Sequence, residues 1–540
     1  MNQTSLTLIG GNNPNQIGAN SMLLTHKDNK GETNVLVDCG LMFSDKISQE
    51  FDRIIPNFLP YMDKVDGILL THGHLDHIGA VVDFVRLAQE KNIYVPPIYG
   101  TPFTLGVLHE YAQKSNMVDP DSFDVYPVKT GKENAFYVGS LKIEALPVSH
   151  SIPDSVGFYV ETPTSHILFS GDYKLTQDMK LGHVFDFDRL GEILKTRGID
   201  YFIDDSTRSG LNSDTLTETK ALEGLTALFE KHRNQRIIAT MIGTNMERLS
   251  SFNKAAAAGG KKAVVLGGGA ILANYEILRR QDFYHPEDFP LPIIPIARLK
   301  GQETLDPQLQ AVLVTGSHME PDSFTEKLLS NKTSLPNESK SDVFVNLQGY
   351  IPGNEKEYTC LMNRMAQMHN DVYMPKELPD KISRVQINNQ VYSSGHASGK
   401  EKSEILYPFL KENNSREMTV IPVHGTKEHI QIMRKRVLDA GLKVSVYPES
   451  HVLDLSDNRL ADTGMEVPVK YIGVHETEKN TIGKETTELN DAKYYSFQLS
   501  SNGKIYADKM QVVFPDSQVK HGKNDLLRLI NRVKKVQKDK

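Results

Sequence analysis

Short apolar runs, Leu6 to Ile9, Met22 to Leu24, Val35 to Val37 and Ile68 to Leu70, are separated by Gly, Asn and Asp along the first part of the chain. Runs of this length bounded by turn formers predict strands. Helical spacing begins only after residue 78. Val81, Val82, Phe84, Val85, Leu87 and Ala88 form one apolar face interrupted by Asp83, Arg86 and Gln89, which predicts a helix lying on the sheet. Strand and helix signals then alternate over hundreds of residues, arguing for a layered α/β protein rather than an all-β barrel.

The middle of the chain, from about Ser206 to Ser383, carries strand–helix units of its own. Arg236 to Thr240 and Lys262 to Leu266 predict strands, and the polar run Asn245 to Ala258 predicts a helix between them. Asn331 to Lys340 is rich in Ser, Lys and Asn and predicts an exposed loop. After His451 the pattern changes again: Val467 to Phe514 predicts short strands, and Leu526, Leu527, Leu529, Ile530, Val533 and Val536 fall at helical spacing in a basic, amphipathic end.

Composition adds limits. The 540 residues carry 61 Lys+Arg against 68 Asp+Glu, a net charge of -7, so a groove for a polyanion must arise from local clustering. Only Cys39 and Cys360 occur, too few for a disulfide framework or a cysteine-zinc module, which fits a reducing compartment. With no basic leader before an apolar run and no stretch of about 18 apolar residues, a cytoplasmic protein without a membrane span is expected.

The strongest chemical signal is Thr71-His72-Gly73-His74-Leu75-Asp76-His77, directly after the strand-like Gly67 to Leu70. Three imidazoles and a carboxylate in so short a stretch are costly to bury unless something satisfies them, and a divalent metal does. Two metals about 3.5–4 Å apart suit a loop that sends His72 and His74 one way and Asp76 and His77 another. Two metals require further ligands, and strand ends offer them: Leu141 to Val148 leads into His150, Ile167 to Phe169 into Asp172, and Met418 to Val423 into His424. Each of these alone is an ordinary polar residue after a strand. Gly267-Gly268-Gly269 lacks a Walker ending and reads as a βα turn, no Gly-x-Ser-x-Gly elbow supports a serine hydrolase, and Met362 to Met368 reads as core filler.

Asp38, the His72 to His77 cluster, His150 and Asp172 together resemble the metallo-β-lactamase signature. Asp205-Ser206-Thr207, Ser394-Gly395-His396-Ala397-Ser398 and Val423-His424-Gly425 resemble its β-CASP branch, whose members cut nucleic acids. Within that branch the chain is similar to ribonuclease J. Gly10-Gly11 with Gln16 to Asn20, Asp38 to Phe43, His150 to Ser155, Thr315-Gly316-Ser317 and Ile351 to Glu355 follow that family's pattern in order, from about residue 5 to 455.

The resemblance implies an α/β fold: a metallo-β-lactamase αββα sandwich with an inserted α/β β-CASP domain and a small C-terminal α/β domain. The expected boundaries are 1–205 and 384–455 for the sandwich, 206–383 for the insert, and 456–540 for a C-terminal domain that mediates oligomerisation. It also implies a ligand set. His72, His74 and His150 would hold one metal, Asp76, His77 and His424 the other, with Asp172 bridging and Asp38 orienting ligands from behind. The expected ions are two Zn²⁺, with Mn²⁺ the alternative for a mixed His/carboxylate site. Asp76, Asp205 and His396 would serve catalysis, and Ser394, Gly395, His396, Ala397 and Ser398 would hold a substrate phosphate. The implied reaction is hydrolysis of RNA, 5′-monophosphorylated and single-stranded, from the 5′ end and internally, by a homodimer or homotetramer. DNA or another phosphodiester, and a non-catalytic RNA-binding scaffold, are the competing readings. Leu75, Thr426 and His318-Met319 depart from the family pattern, as do Arg208 and Thr244-Asn245. Arg208, Asn245 and His318 are thereby candidate substrate contacts.

Overall fold

The computed structural model of the protein describes residues 2–13, 17–42, 51–299, 306–317, 323–330, 332–333, 335, 338–349, 355–375, 384–447, 451–456, 461–466, 471–477, 491–497 and 511–512. His318, Gln16, most of Ile351 to Glu355 and the helical pattern from Leu526 to Val536 lie outside the described residues, as does most of the segment expected to oligomerise.

Two sheets pack face to face. The first runs, edge to edge, through Ala461–Glu466, His451–Asp454, Gln3–Gly10, Ser21–Lys27, Glu32–Val37, Gly67–Leu69, Ile98–Gly100 and Val125–Pro127. The second runs through Lys443–Val444, Thr419–Val423, Tyr201–Asp205, His166–Phe169, Val156–Glu161, Leu141–Pro147 and Phe136–Val138. Their inner faces are apolar at every second position and interlock. Leu6, Leu24, Val35 and Val37 from one sheet meet Ile143, Phe158, Phe169 and Ile203 from the other.

Helices cover both outer faces. The expected helix forms over Val81–Glu90 and buries the apolar face read from the sequence, packing with Pro102–Ser115 into a core that includes Leu36, Ile68 and Leu70. On the opposite side Phe187–Thr196, Tyr407–Asn413 and Lys427–Asp439 close over Tyr159, Leu168, Phe202 and Val420. The result is an αββα sandwich.

A third, all-parallel sheet is assembled from Ile293–Pro295, Ala263–Gly267, Gln310–Thr315, Ile237–Met241, Val343–Asn346, Asp371–Met374 and Val385–Ile387. Its near-continuous apolar strands are what a sheet buried on both faces requires. Glu218–Lys231 and Met246–Ala258 pack on one face, and Glu355–Met368 on the other, where Met362 and Met365 fill the core as expected. The three glycines form a βα turn between Ala263–Gly267 and Gly269–Leu278. The chain leaves the second sheet after Tyr201–Asp205 and re-enters it beside that same strand, Asp205 opposite Val423 in parallel register.

Further on, Tyr471–Thr477 pairs with Arg53–Pro56, and Ile472 and Val474 join the core beneath the first sheet. Among the described residues, no helix is long and apolar enough to cross a membrane.

Candidate metal centre

The residues singled out for chemistry converge because of strand direction. Gly67–Leu69 runs into Thr71 and His72, His166–Phe169 into Asp172, Tyr201–Asp205 ends at Asp205, and Thr419–Val423 runs into His424. Parallel neighbours present their carboxyl ends at one edge, and these four strands do so in two facing sheets. Backbone conformation sharpens the convergence. Asp38 and His424 both have positive φ, 59° and 57°, a region most side chains avoid and functional sites retain. Gly40 is required for closeness: a Cβ there would stand 1.6 Å from the carbonyl oxygen of Asp76.

Three imidazoles form the first cluster. His72 Nε2 and His150 Nε2 each lie 3.1 Å from His74 Nδ1. The opposite nitrogens are occupied: His150 Nδ1–H donates to the Gly395 carbonyl at 2.7 Å, while His72 Nδ1 meets Thr71 Oγ1 at 3.0 Å and His74 Nε2 meets Thr244 Oγ1 at 3.1 Å. His150 therefore turns a lone pair inward. Burial, reinforced by neighbouring imidazoles, holds His72 and His150 well below the usual histidine range and lowers His74 to about 4. Neutral, convergent imidazoles are the form a divalent metal takes.

Asp76, His77, Asp172 and His424 make the second cluster. His424 Nε2 lies 3.2 Å from Asp76 Oδ2 and 3.5 Å from Asp172 Oδ2, and His77 Nε2 lies 3.3 Å from Asp172 Oδ2. Burial alone would lower His77, but Asp172, Asp38 and Asp76 outweigh it and push it up to about 10. His424 is raised in the same way by Asp172, Asp205 and Asp76. So dense a set of buried carboxylates creates a field that demands cations. The same Asp172 Oδ2 also lies 3.7 Å from His72 Nε2 and 4.0 Å from His150 Nε2, between the two clusters. Both donor sets, three imidazoles in one and imidazoles with carboxylates in the other, fit divalent metal ions.

Asp38 stands behind this shell. Its carboxylate accepts from His77 Nδ1 at 2.8 Å and from the Thr71 amide at 2.9 Å. Asp205 is divided in function: Oδ1 accepts from the Thr207 amide, closing the turn after its strand, and Oδ2 accepts from His396 Nδ1 at 2.9 Å. His396 is one-fifth exposed, against a few per cent for its neighbours, and so faces the cleft.

The rest of the Ser394 to Ser398 loop is braced internally. The Ala397 amide donates to the Tyr173 carbonyl, Ser394 Oγ accepts from the His396 amide, and Ser398 caps the following turn in a reciprocal pair with Glu401. Arg208 donates to the His396 carbonyl and Thr215, and Asn245 caps Met246–Ala258.

Sequence reasoning named Thr71, Thr207 and Thr244 without giving them a role, and passed over Lys402. Lys402 is buried beneath Asp205, paired with Asp204 at 2.9 Å and donating to the Asp205 carbonyl. Thr71 and Thr207 lie within recognised motifs and Thr244 stands out only as a departure from the family pattern, whereas nothing local distinguishes Lys402.

A model of the β-lactamase superfamily domain matches residues 33–191. Ribonuclease J of Mycobacterium tuberculosis is 26% identical over 467 residues, covering 86% of this chain and 74% of its own length. Ribonuclease J of Corynebacterium glutamicum is 24% identical over 451 residues, covering 81% of this chain, which spans only 56% of that relative. The Helicobacter pylori enzyme of the same name is 24% identical over 477 residues, 87% of this chain and 62% of its own. Among solved structures, a protein of unknown function from Enterococcus faecalis superposes with a TM-score of 0.55 at 14% identity, over 84% of this chain and all of that one, a likeness of fold. With the signature residues gathered at one sheet edge, the chain carries a β-lactamase superfamily domain match over residues 33–191 and is similar over most of its length to ribonuclease J.

Proposed function

We propose that the protein is a metal-dependent ribonuclease that hydrolyses single-stranded RNA from a 5′-monophosphorylated end, and also internally, with two Zn²⁺ ions bound. The observation that carries the reading is the position of Asp172 Oδ2, within 4.0 Å of ligand nitrogens in both clusters. A carboxylate there would serve cations held by either cluster. His72, His74 and His150 would hold one, Asp76, His77 and His424 the other.

Two such ions, when bound, supply a strong nucleophile from water at neutral pH and offset the charge of the phosphate under attack. The chain's own groups do the rest. Asp38, Thr71, Gly395 and Thr207 fix ring orientations through the outer nitrogens or the groups beside them. Asp205 fixes His396 through Nδ1, leaving its Nε2 as the atom that donates to a phosphate oxygen or protonates the leaving oxygen. Burial of the ligand shell excludes water from everything except the cleft side.

The test pairs metal analysis with a product ladder on 5′-labelled RNA, comparing wild type and Asp76→Ala, with DNA of matched sequence alongside. Two metals per chain and RNA cleavage lost in the variant are expected. Full cleavage without the Asp76 carboxylate, or equal cutting of DNA, would sink the reading. RNA affinity with neither metal nor cleavage would favour a binding scaffold.

A further inference from the structure

We propose that Thr244 is a positioning residue of the three-histidine metal site, tying its geometry to the inserted sheet. The inference rests on the metal reading above. Each histidine of that cluster turns one nitrogen inward and has the other held from outside. For His72 the holder is Thr71, its neighbour in sequence, and for His150 it is the Gly395 carbonyl. For His74 it is the Thr244 hydroxyl, 3.1 Å from Nε2 and 170 positions away along the chain.

Thr244 belongs to neither sheet of the sandwich. It follows Ile237–Met241, the central strand of the third sheet, and directly precedes Asn245, the cap of Met246–Ala258. Both elements are buried, so the short turn that carries the hydroxyl is anchored at each end in the core of the insert. His74 needs such help. It is the N-cap of the single-turn helix Leu75–Ile78 and is less buried than His72 and His150. Among the described residues Thr244 is the group that meets its outer nitrogen. With Nδ1 turned toward the other two imidazoles, the hydroxyl can accept from Nε2–H and so fixes the ring plane. The insert thus contributes to metal affinity without contributing a ligand, and displacing its central strand would loosen one site and not the other.

The experiment uses the full chain, stripped and reloaded with Co²⁺, whose absorption bands report each site during chelator titration. Wild type should release two ions in separable steps. Thr244→Val, which keeps the shape and removes the hydroxyl, should weaken one step by about 10–100-fold and leave the other within about threefold, with unchanged circular dichroism. Thr244→Ser, which restores a hydroxyl, should recover wild-type affinity and also serves if the valine variant folds poorly. Unchanged affinity at both steps in Thr244→Val would overturn the proposal, as would a serine variant as weak as the valine one. Fewer than two Co²⁺ on wild type would instead remove the two-metal reading on which it stands.

Discussion

Gly395 touches His150 twice over: its carbonyl accepts the Nδ1 proton at 2.7 Å, and a Cβ at that glycine would stand 2.7 Å from the ring's Cε1. Such a contact is shorter than carbon atoms tolerate, and His150 is buried with no room to retreat. Gly395→Ala should therefore leave the fold intact and push the His150 ring out of line. The expected result is at least about a tenfold loss of metal affinity, read by chelator competition, with melting temperature little changed.

Asp38 gives a complementary case, because it supports the second cluster as Gly395 supports the first. Asp38→Asn keeps a side chain that accepts positive φ and can still meet Thr71. What it loses is the charge facing His77. Metal affinity at one step should fall about 10–100-fold, and cleavage with it, while circular dichroism stays as in wild type.

Lys402 and Asp204 are a buried pair, and breaking one partner should cost more than removing both. Tyr173 and Tyr407 also donate to Asp204, so the carboxylate keeps some hydrogen bonds when the cation goes. Lys402→Met should destabilise by about 3–5 kcal/mol in urea unfolding, because an uncompensated charge remains buried. The double variant with Asp204→Asn should recover a substantial part. Equal losses in single and double variants would contradict the pairing.

A pH effect on stability should arise from a group outside the proposed ligand set. Glu247 is raised to about 7 by burial and by Glu218, although the Lys180 and Leu181 amides and Lys174 pull it down. Since its folded pKa exceeds the unfolded value of about 4.5, the folded state binds more protons between the two. Its contribution is greatest at low pH and is lost as pH rises from about 4.5 through 7. Relative to Glu247→Gln, which cannot ionise, wild type should lose up to about 3 kcal/mol between pH 4.5 and pH 7.5. Urea unfolding of both proteins across that range reads the difference, and parallel curves would exclude the effect.

Sequence alone determined a layered α/β protein and, through the family resemblance, the αββα sandwich and most of the candidate shell. Short apolar runs bounded by turn formers, and the face from Val81 to Ala88, carry their own structural meaning because burial acts on each segment separately. His72 to His77 is legible for the same reason, its donors packed into one turn, and the family resemblance attached His150, Asp172 and His424 to it. Tertiary structure alone decided which nitrogen of each ring faces inward and what holds the other. Thr244 reaching His74, Gly395 reaching His150 and Lys402 lying under Asp205 follow from the crossing of sheets whose strands are far apart in sequence. A hydroxyl, a carbonyl and an amine of this kind carry no periodicity or spacing to announce them. Their chemistry is set by distance and direction, which exist only once the chain has closed on itself.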